Sequence, residues 1–547
     1  MRIVNHWKLL AAAPATLISF GFTPVAARAQ QAPAPSTARA AVPDPAHFEI
    51  LLLGGRVLDG SGSAWVRADV GISGDRITAV GDLRGATAAT TIDARELYVA
   101  PGFIDTHSHA GEALLRSELR GARPLLAQGI TTVFVNPDGG GRADLAAQRS
   151  ALSSGRIGVN VALMVPHGSV RRAVMGMADR APTAAELRRM EDLVAEGMGA
   201  GAFALSSGPF YAPGSFAKTD ELIALARIAA RYGAPYQSHI RDESDYSIGL
   251  LAAVEEVITV AREAGTRGVI THVKALGPNV WGFSAAIVHR VERAREQGVE
   301  VFADQYPYEA SQTSLAAALL PRWAQADGND SLRARIANPA SRSRIVSAMR
   351  ENLARRGGAE RMRIAGFRAD RSLEGRTLAQ VAAGQNQDAV EAALALIGRG
   401  GAGIVSFNMS DADIERLMLQ PWTMTSSDGG LAMAGEGAPH PRNNGAFARK
   451  LRKYVVDDEV IELGSAVRSM TSLPATVYRV PDRGWLRPGA AADVVVFDIA
   501  RVRDRATYED PHQVAEGMVH VLVSGRFAIR DGAFTNILGG QVLRPVR

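Results

Sequence analysis

The chain has 547 residues, of which 47% are hydrophobic and 21% charged, so it can bury a large core and is not of the disordered class. Its 61 basic and 56 acidic residues leave a formal net charge of only +5, and no dense Lys/Arg run with interleaved aromatics occurs, which disfavours nucleic-acid binding. The absence of cysteine excludes disulfides and thiolate ligands, so any metal site must use His, Asp, Glu or a modified Lys.

The N-terminus has the pattern of a signal peptide. Arg2 and Lys8 precede an apolar run over residues 9–22, which is shorter than the roughly 20 residues that span a bilayer, and Ala27-Arg28-Ala29 is a small-x-small cleavage signal. We therefore expect residues 1–29 to be a signal peptide and the protein to be exported, to a bacterial periplasm. Residues 30–45 are rich in Pro and Ala and read as a linker.

The remainder predicts a barrel flanked by β structure. Residues 46–100 show alternating apolar residues between Gly-Asp and Asp-Gly turns, as does the region 481–547. Between them, over residues 101–480, eight apolar strand candidates alternate with helical segments: GFIDTHSH, GITTVFV, VNVALMV, GAFALSSG, PYQSHIR, GVITHVK, VEVFADQYPY and WTMTSSDGG. We predict a (β/α)8 TIM-like barrel, an insertion at about 310–420 between its last two strands, and a small β-sandwich assembled from the N- and C-terminal segments.

The strongest chemical signal is Asp105-Thr106-His107-Ser108-His109, at the end of the first strand candidate. Residues two apart on a strand point to the same side, so His107 and His109 should both face the barrel mouth, where two imidazoles suit Zn2+. Alone, the pair would be better explained by packed, hydrogen-bonded histidines. However, three further residues that can bind metal lie at the ends of separate predicted barrel strands: His239, His272 and Asp428. Four of the eleven histidines thus fall at strand ends, which predicts a metal site at the carboxyl rim.

This order of ligands resembles the amidohydrolase superfamily, as do the opening VAPGFIDTHSH, the RVLDG before it and ADVVVFD near the end. The blocks SHIRDE, THVK, DQYPYEAS, SSDGG and HPRNNGAFAR are similar to its N-acyl-D-amino-acid deacylase (D-aminoacylase) branch, and the resemblance runs from about residue 47 to the C-terminus. That branch usually carries a metal-bridging cysteine after the second strand. Here Asp138 stands at that place, in GITTVFVNPDGG, where a plain turn residue is the alternative. The fourth strand has no Lys that could form a carboxylated bridge.

The resemblance implies a cofactor of one or two Zn2+ ions, with other divalent transition metals left open. Our hypothesis places His239, His272 and Asp138 on the principal ion, with His107 and His109 on a second or weaker one. Asp428 would take the proton of a metal-activated water and pass it to the leaving amine. The alternative for Asp428 is a turn or cap residue in Ser-Ser-Asp-Gly-Gly.

Substrate contacts follow from spacing and resemblance together. Lys274 lies two residues beyond His272 and is expected to point into the mouth, where the resemblance gives it the substrate α-carboxylate. Arg241, two residues beyond His239, is expected there on the same grounds. The resemblance makes Tyr211 the donor to the developing oxyanion. Tyr306 and Met409 match pocket positions by resemblance alone, and His167 reads as a structural histidine.

The sequence therefore predicts a metal-dependent hydrolase of a linear amide bond that deacylates N-acyl-D-amino acids to a carboxylate and a free D-amino acid. The expected partner is a small-molecule amide, with no nucleic acid and no membrane after signal cleavage. Two alternatives remain open: a hydantoinase-like or prolidase-like hydrolase of cyclic amides or dipeptides, and a non-catalytic periplasmic binding protein on the same fold. The oligomeric state is not predicted.

Overall fold

The computed structural model describes residues 47–546. The predicted signal peptide, residues 1–29, and the predicted linker, residues 30–45, lie outside the described residues. Within the described range, no helix combines the length and the apolar character needed to cross a bilayer.

Five strands begin the described chain and belong to one sheet. They are β1 (His47–Val57), β2 (Val66–Ser73), β3 (Arg76–Gly81), β4 (Thr87–Asp93) and β5 (Tyr98–Pro101). Strand β1 is central to this half of the sheet, because it pairs antiparallel with β2 and parallel with both β4 and β5.

The barrel begins directly after β5. Its strands up to the insertion are β6 (Phe103–Ser108), β7 (Ile130–Val135), β8 (Asn160–Leu163), β9 (Val165–Pro166), β10 (Leu205–Ser207), β11 (Tyr236–Ser238), β12 (Gly268–Ile270) and β13 (Val301–Gln305). Strands β8 and β9 are separated only by Met164 and together occupy the third barrel position. Every pairing among these strands is parallel. The strand residues are almost all buried, as expected for a parallel sheet covered on its outer face by helices.

The helices that connect these strands are α1 (Arg123–Leu126), α2 (Leu145–Ser154), α3 (His167–Met175), α4 (Ala184–Gly199), α5 (Thr219–Ala230), α6 (Leu250–Ala264) and α7 (Ser284–Glu296). Their apolar residues recur at helical spacing. In α6, for example, Leu250, Val254, Val257 and Ala261 are buried while Glu263 is exposed. This apolar stripe packs the helix against the barrel.

The insertion follows β13 and has a core of its own. It contains strands β14 (Ala310–Ser314), β15 (Met362–Gly366) and β16 (Gly403–Phe407), and helices α8 (Leu315–Leu319), α9 (Asn329–Ala337), α10 (Pro339–Arg355), α11 (Leu378–Gly384), α12 (Ala389–Gly398) and α13 (Asp411–Met418). The three strands form an antiparallel sheet in the order β14-β16-β15. A separate apolar cluster that includes Leu319, Met349 and Ile364 lies under this sheet. The sequence predicted helices here but not the sheet, because five-residue strands between helical segments give little periodic signal.

Strand β17 (Thr423–Thr425) completes the barrel by pairing parallel with β13. A parallel bridge between Ser108 and Gly429 joins it to β6 and closes the ring. Helices α14 (Arg442–Arg449), α15 (Leu463–Met470) and α16 (Ser472–Tyr478) follow, with a π-helical segment at Lys450–Asp457. The predicted (β/α)8 barrel is therefore confirmed.

The last four strands complete the flanking sheet. They are β18 (Val494–Phe497), β19 (Met518–Val523), β20 (Arg526–Arg530) and β21 (Ala533–Phe534). Strand β18 pairs antiparallel with β5, which makes one continuous nine-stranded sheet from both ends of the chain. Backbone bonds from Ile77 N to Ala490 O (2.9 Å) and from Gly489 N to Ile77 O (2.8 Å) curl this sheet around a shared apolar core. The two predicted β segments thus form one β-rich unit.

Candidate metal centre

Six ligand-type side chains meet at the carboxyl rim of the barrel. Each lies at the end of a strand or shortly after it: His107 in β6 and His109 after it, Asp138 after β7, His239 after β11, His272 after β12 and Asp428 after β17. Since the carboxyl ends of parallel barrel strands lie at one rim, residues far apart in sequence converge there.

Asp138 lies at the middle of the four imidazoles. Its Oδ1 is 3.2 Å from His107 Nε2, 3.4 Å from His272 Nε2 and 3.5 Å from His239 Nδ1. Its Oδ2 is 3.5 Å from His109 Nε2. The rings of His239 and His272 are 4.5 Å apart, so both histidines can reach one ion. The expected division into a His239/His272 ion and a His107/His109 ion is less distinct than predicted, because one carboxylate oxygen faces three of the rings.

Asp428 lies beside these ligands. Its Oδ1 is 3.1 Å from His109 Nε2 and 3.5 Å from His107 Nε2, while its Oδ2 is 2.7 Å from the Arg442 guanidinium. Its backbone N–H donates to His107 O at 2.9 Å, which ties the last barrel strand to the first. Asp428 therefore joins the ligand cluster and a buried cation.

The donor set fits a divalent metal ion. Ligand atoms of His107, Asp138, His272 and Asp428 all lie within 4.8 Å of one another. Three residues carry buried atoms without any hydrogen-bond partner: His107 Nε2, Asp138 Oδ1, and both ring nitrogens of His239. Buried polar atoms are normally paired, so this set is incomplete without a cation. Imidazole and carboxylate donors suit zinc and related divalent metals.

Nearby cations keep both central carboxylates ionised. Burial acts to raise the pKa of Asp138, but His107 and the other imidazoles outweigh it and hold that pKa well below its usual range. For Asp428, burial is likewise outweighed, chiefly by the Arg442 guanidinium, so its pKa also lies well below the ordinary value. Both groups are therefore available as acceptors at neutral pH.

Glu243 lies behind two of the metal-ligand candidates. Its Oε1 lies 3.1 Å from His272 Nδ1 and 2.5 Å from Lys274 Nζ, and its Oε2 lies 3.7 Å from His239 Nε2. Burial acts to raise the pKa of Glu243, but the Lys274 ammonium outweighs it and the pKa falls below its usual range. The Lys274 ammonium also lies 2.7 Å from His272 Nδ1, so a carboxylate and an ammonium stand on the side of these histidines away from Asp138.

Buried carboxylates on the barrel strands hold the loops in place. Asp304 Oδ1 accepts hydrogen bonds from His272 N at 2.8 Å and from Ser426 Oγ at 2.7 Å. Asp105 accepts from Ser427 N at 2.9 Å, and burial raises the pKa of Asp105 to about 7. These bonds fix the backbone on either side of the ligands, which restricts where the ligands can point.

Three of the cluster residues adopt left-handed backbone conformations. The φ angle is +55° at Asp138, +34° at His272 and +48° at Asp428. Such conformations cost non-glycine residues free energy and concentrate at functional sites. Around Asp138, close backbone approach is possible because position 208 is glycine: a Cβ there would lie 2.2 Å from Asp138 O.

A cavity of about 720 Å³ opens beside the cluster. Its lining includes His239, His272 and Asp428 together with Lys274, Tyr211, Tyr306 and Arg442. Tyr306 lies between two cations, with the Arg442 guanidinium 4.7 Å and the Lys274 Nζ 5.6 Å from its ring centroid. This volume suits a small-molecule ligand.

The predicted substrate residues divide between the cavity and its surroundings. Lys274, Tyr211 and Tyr306 line the cavity as expected. Met409 does not line it but lies behind Tyr306, whose hydroxyl is 3.6 Å from the Met409 sulfur. His167 is buried with Glu221 Oε1 at 3.0 Å, in keeping with a structural role.

The expectation for Arg241 is wrong. Its guanidinium pairs with Glu256 of α6 at 2.8 Å, and it is absent from the cavity lining. The strand β11 ends at Ser238, so the alternation used to place Arg241 no longer applied beyond it.

Sequence reasoning gave no role to Glu243 or Arg442. Glu243 stands four residues after His239 in SHIRDE, and Arg442 begins α14 in HPRNNGAFAR. The only signal for either was its place in a charged or mixed block near a ligand. Their contacts with His272 and Asp428 depend on loops that only the folded barrel brings together.

Comparison with known proteins agrees with this geometry. A family model described as the amidohydrolase family matches residues 90–529. The N-acyl-D-glutamate deacylase of Alcaligenes xylosoxydans xylosoxydans is 38% identical over 91% of this chain and 96% of its own, and the D-aminoacylase of the same organism is 34% identical over 91% and 97%. The solved N-acyl-D-glutamate deacylase from Bordetella bronchiseptica, complexed with zinc and a phosphonate mimic of the tetrahedral intermediate, gives a TM-score of 0.78 at 35% identity, covering 91% of this chain and 100% of that one.

The donor set and these relatives agree on the cofactor, which is zinc or a closely related divalent metal ion. In this chain, four imidazoles and two carboxylates lie at the rim of a (β/α)8 barrel, beside a cavity of ligand size. The chain belongs to the amidohydrolase family and is a metal-dependent hydrolase of C–N bonds other than peptide bonds.

Proposed function

We propose that the protein deacylates N-acyl-D-amino acids. Water would be added across the amide bond, with its oxygen joining the acyl carbon and a proton joining the nitrogen, to release a carboxylate and a free D-amino acid. The observation that carries the proposal is the cluster of unpartnered, buried imidazole and carboxylate atoms facing the cavity. The deacylase relatives, which match over nine-tenths of the chain, support this substrate class.

The metal would be held by Asp138 and the histidines at positions 107, 109, 239 and 272. When bound, a divalent cation lowers the pKa of a water that it contacts and polarises an amide carbonyl. Glu243, 3.1 Å from His272 Nδ1, would help to keep the His272 ring in place.

Asp428 is the proposed proton carrier. It is ionised and buried at the cavity wall, with Oδ1 facing the imidazoles and Oδ2 held by Arg442. A carboxylate there can take a proton from the attacking water and give it to the leaving nitrogen, so one residue serves both halves of the reaction. Arg442 fixes its orientation.

Tyr211 is the proposed donor to the oxyanion. Its ring centroid lies 4.7 Å from that of His239, and its hydroxyl is 3.3 Å from Thr313 Oγ1. Burial raises the pKa of Tyr211, so the phenol stays protonated and can donate a hydrogen bond to the developing charge.

Lys274 and Arg442, on either side of Tyr306, are proposed to bind the substrate α-carboxylate. Both cations are buried and line the cavity, and charge-assisted bonds to a carboxylate are stronger than neutral ones. The α-carboxylate would then fix the stereocentre relative to the metal ligands.

A matched substrate panel with metal quantification tests this proposal. The purified protein is expected to hold metal and to hydrolyse N-acetyl-D-amino acids, with little turnover of the L-enantiomers, hydantoins or dipeptides. Removing the metal with a chelator should abolish turnover and lower the melting temperature, because the ion binds only the folded state. A metal-loaded protein that hydrolyses hydantoins or dipeptides instead would contradict it.

We also propose that the protein is exported to a bacterial periplasm. The basic start, the short apolar run and the Ala27-Arg28-Ala29 signal support this. N-terminal sequencing of the protein from a periplasmic fraction should begin at Gln30; full-length protein in the cytoplasm would contradict it.

A further inference from the structure

Two arginines of the insertion lie beside the cavity without a counter-ion. Arg322 is in the short helix Arg322–Gln325, and Arg356 immediately follows α10. Within residues 47–546, no carboxylate oxygen comes within 4.0 Å of either guanidinium, although the structure pairs many other arginines in this way. Burying an unpaired charge is costly, so such a pair needs an explanation.

Arg356 is the better placed of the two. Its side chain is 1% exposed, it lines the cavity, and its Nε has no hydrogen-bond partner. Its other end is held by a neutral group: with the Asn408 amide turned to satisfy its own partners, the amide oxygen accepts from Arg356 at 3.2 Å. The guanidinium is therefore positioned by the protein but not neutralised by it.

Arg322 reinforces this positive region. Its guanidinium lies 4.0 Å over the ring of Phe210, which lines the cavity, and donates to Ala317 O at 2.7 Å. Burial lowers the pKa of Arg322 to about 10, and the charge of Arg356 contributes to the lowering. At neutral pH Arg322 therefore remains charged.

The other buried cations of the cavity each lie beside a carboxylate of the protein. Lys274 lies 2.5 Å from Glu243, and Arg442 lies 2.7 Å from Asp428. Arg356 comes from a different element and has no such partner. The side of the cavity built by the insertion thus carries positive charge that no carboxylate of the described residues neutralises within 4.0 Å.

We propose that Arg356, supported by Arg322, binds a second carboxylate of the substrate, on the amino-acid side chain, so that the preferred substrates are N-acyl derivatives of acidic D-amino acids. This inference rests on the proposed deacylase function and names its substrate class. A planar guanidinium binds a carboxylate through two parallel hydrogen bonds, and Arg356 keeps at least its Nε free for this. A substrate with a neutral side chain of the same size would leave the charge of Arg356 unpaired.

The test compares isosteric substrates. For the wild-type protein, kcat/KM for N-acetyl-D-glutamate should exceed that for N-acetyl-D-glutamine by about 10- to 100-fold, the range expected for charged hydrogen bonds. R356Q should bring this ratio close to one while N-acetyl-D-glutamine turnover persists, which also reports a folded centre. R356K should keep part of the preference that R356Q loses, since lysine has the positive charge but cannot form the two parallel hydrogen bonds of a guanidinium.

The adjacent arginine is the matched control. Arg355 pairs with Asp245 at 3.3 Å and does not line the cavity, so R355Q should leave the ratio unchanged. Equal wild-type kcat/KM for the two substrates, a preference for acidic acyl groups such as N-succinyl-D-leucine, or an equal loss for all substrates in R356Q would each overturn the inference. If no N-acyl-D-amino acid is hydrolysed at all, the proposed function itself fails.

Discussion

At the scale of single residues, the centre combines charges that would be unfavourable alone. Asp138 and Asp428 lie close together and stay ionised only because imidazoles and Arg442 surround them. Each carboxylate has a different surrounding: Asp138 faces four rings, whereas Asp428 faces two rings and a guanidinium. This difference supports ligation by the first and proton transfer by the second.

Asp428→Asn should separate these roles. The amide keeps the size of the carboxylate, but it cannot carry a proton, so we expect kcat to fall by roughly 10²- to 10⁴-fold. Metal content, measured on the purified variant, should stay near the wild-type value, because Asp138 and the four histidines remain. An unchanged kcat would remove Asp428 from the reaction, and loss of metal would make it primarily a ligand.

At the scale of elements, the loops after the strands decide the geometry. Alternation along a strand correctly placed the His107 side chain at the mouth of the barrel, because His107 lies within β6, which runs to Ser108. The same rule was wrong at Arg241, three residues beyond the end of β11, where the chain has already turned towards α6. Lys274 does reach the cavity, beyond the positive φ of His272.

The loop that carries Asp138 depends on a glycine that directly follows β10. A Cβ at Gly208 would lie 2.2 Å from Asp138 O and 2.8 Å from its carbonyl carbon, so backbone would have to move. Gly208→Ala should lower the free energy of unfolding by about 1–3 kcal/mol, as overpacking usually does, and weaken metal binding by displacing Asp138. Chemical denaturation and metal titration measure the two effects.

Gly199→Ala is the control for this change. Gly199 ends α4, has ordinary helical backbone and has no atom within 4 Å of an added Cβ. It should be neutral or slightly stabilising and should leave metal affinity unchanged. Equal behaviour of the two variants would show that the Gly208 contact does not position Asp138.

At the scale of the whole molecule, a buried ammonium group outside the metal centre lowers the free energy of unfolding. Lys450, in the π-helical segment, is buried and donates to Thr425 Oγ1 and Ser469 Oγ, each at 2.9 Å. Burial lowers the pKa of Lys450 to about 7. In the unfolded chain the pKa of this lysine is about 10.4. Between about pH 7 and pH 10 the unfolded state therefore binds more protons than the folded state.

The free energy of unfolding should therefore rise with pH from about 7 to about 10 through this group. Lys450→Met fills similar space without a charge, and Thr425 and Ser469 still bond each other at 2.9 Å. We expect the variant to be more stable than wild type by a few kcal/mol at pH 7, with the difference shrinking towards pH 10. Denaturation across this range measures it; a pH-independent difference would contradict the assignment.

The sequence alone determined the barrel, its strand order and the residues that meet at its rim as metal-ligand candidates. Strand-helix alternation has a strong period, and ligands such as His239 and His272 end strands whose carboxyl ends must share one rim. These features are local in sequence, so a linear pattern can report them. The zinc-type chemistry followed from the residue types.

Only the tertiary structure decided what completes the site. Glu243 and Arg442 gain their roles by contacting His272 and Asp428 across different loops, and Arg356 reaches the cavity from the insertion. The ion pair between Arg241 and Glu256, which holds Arg241 away from the cavity, could not be predicted from the sequence either. Loop side chains follow no period, and a charge becomes significant when burial leaves it with one partner or with none, which depends on the packing of the whole chain.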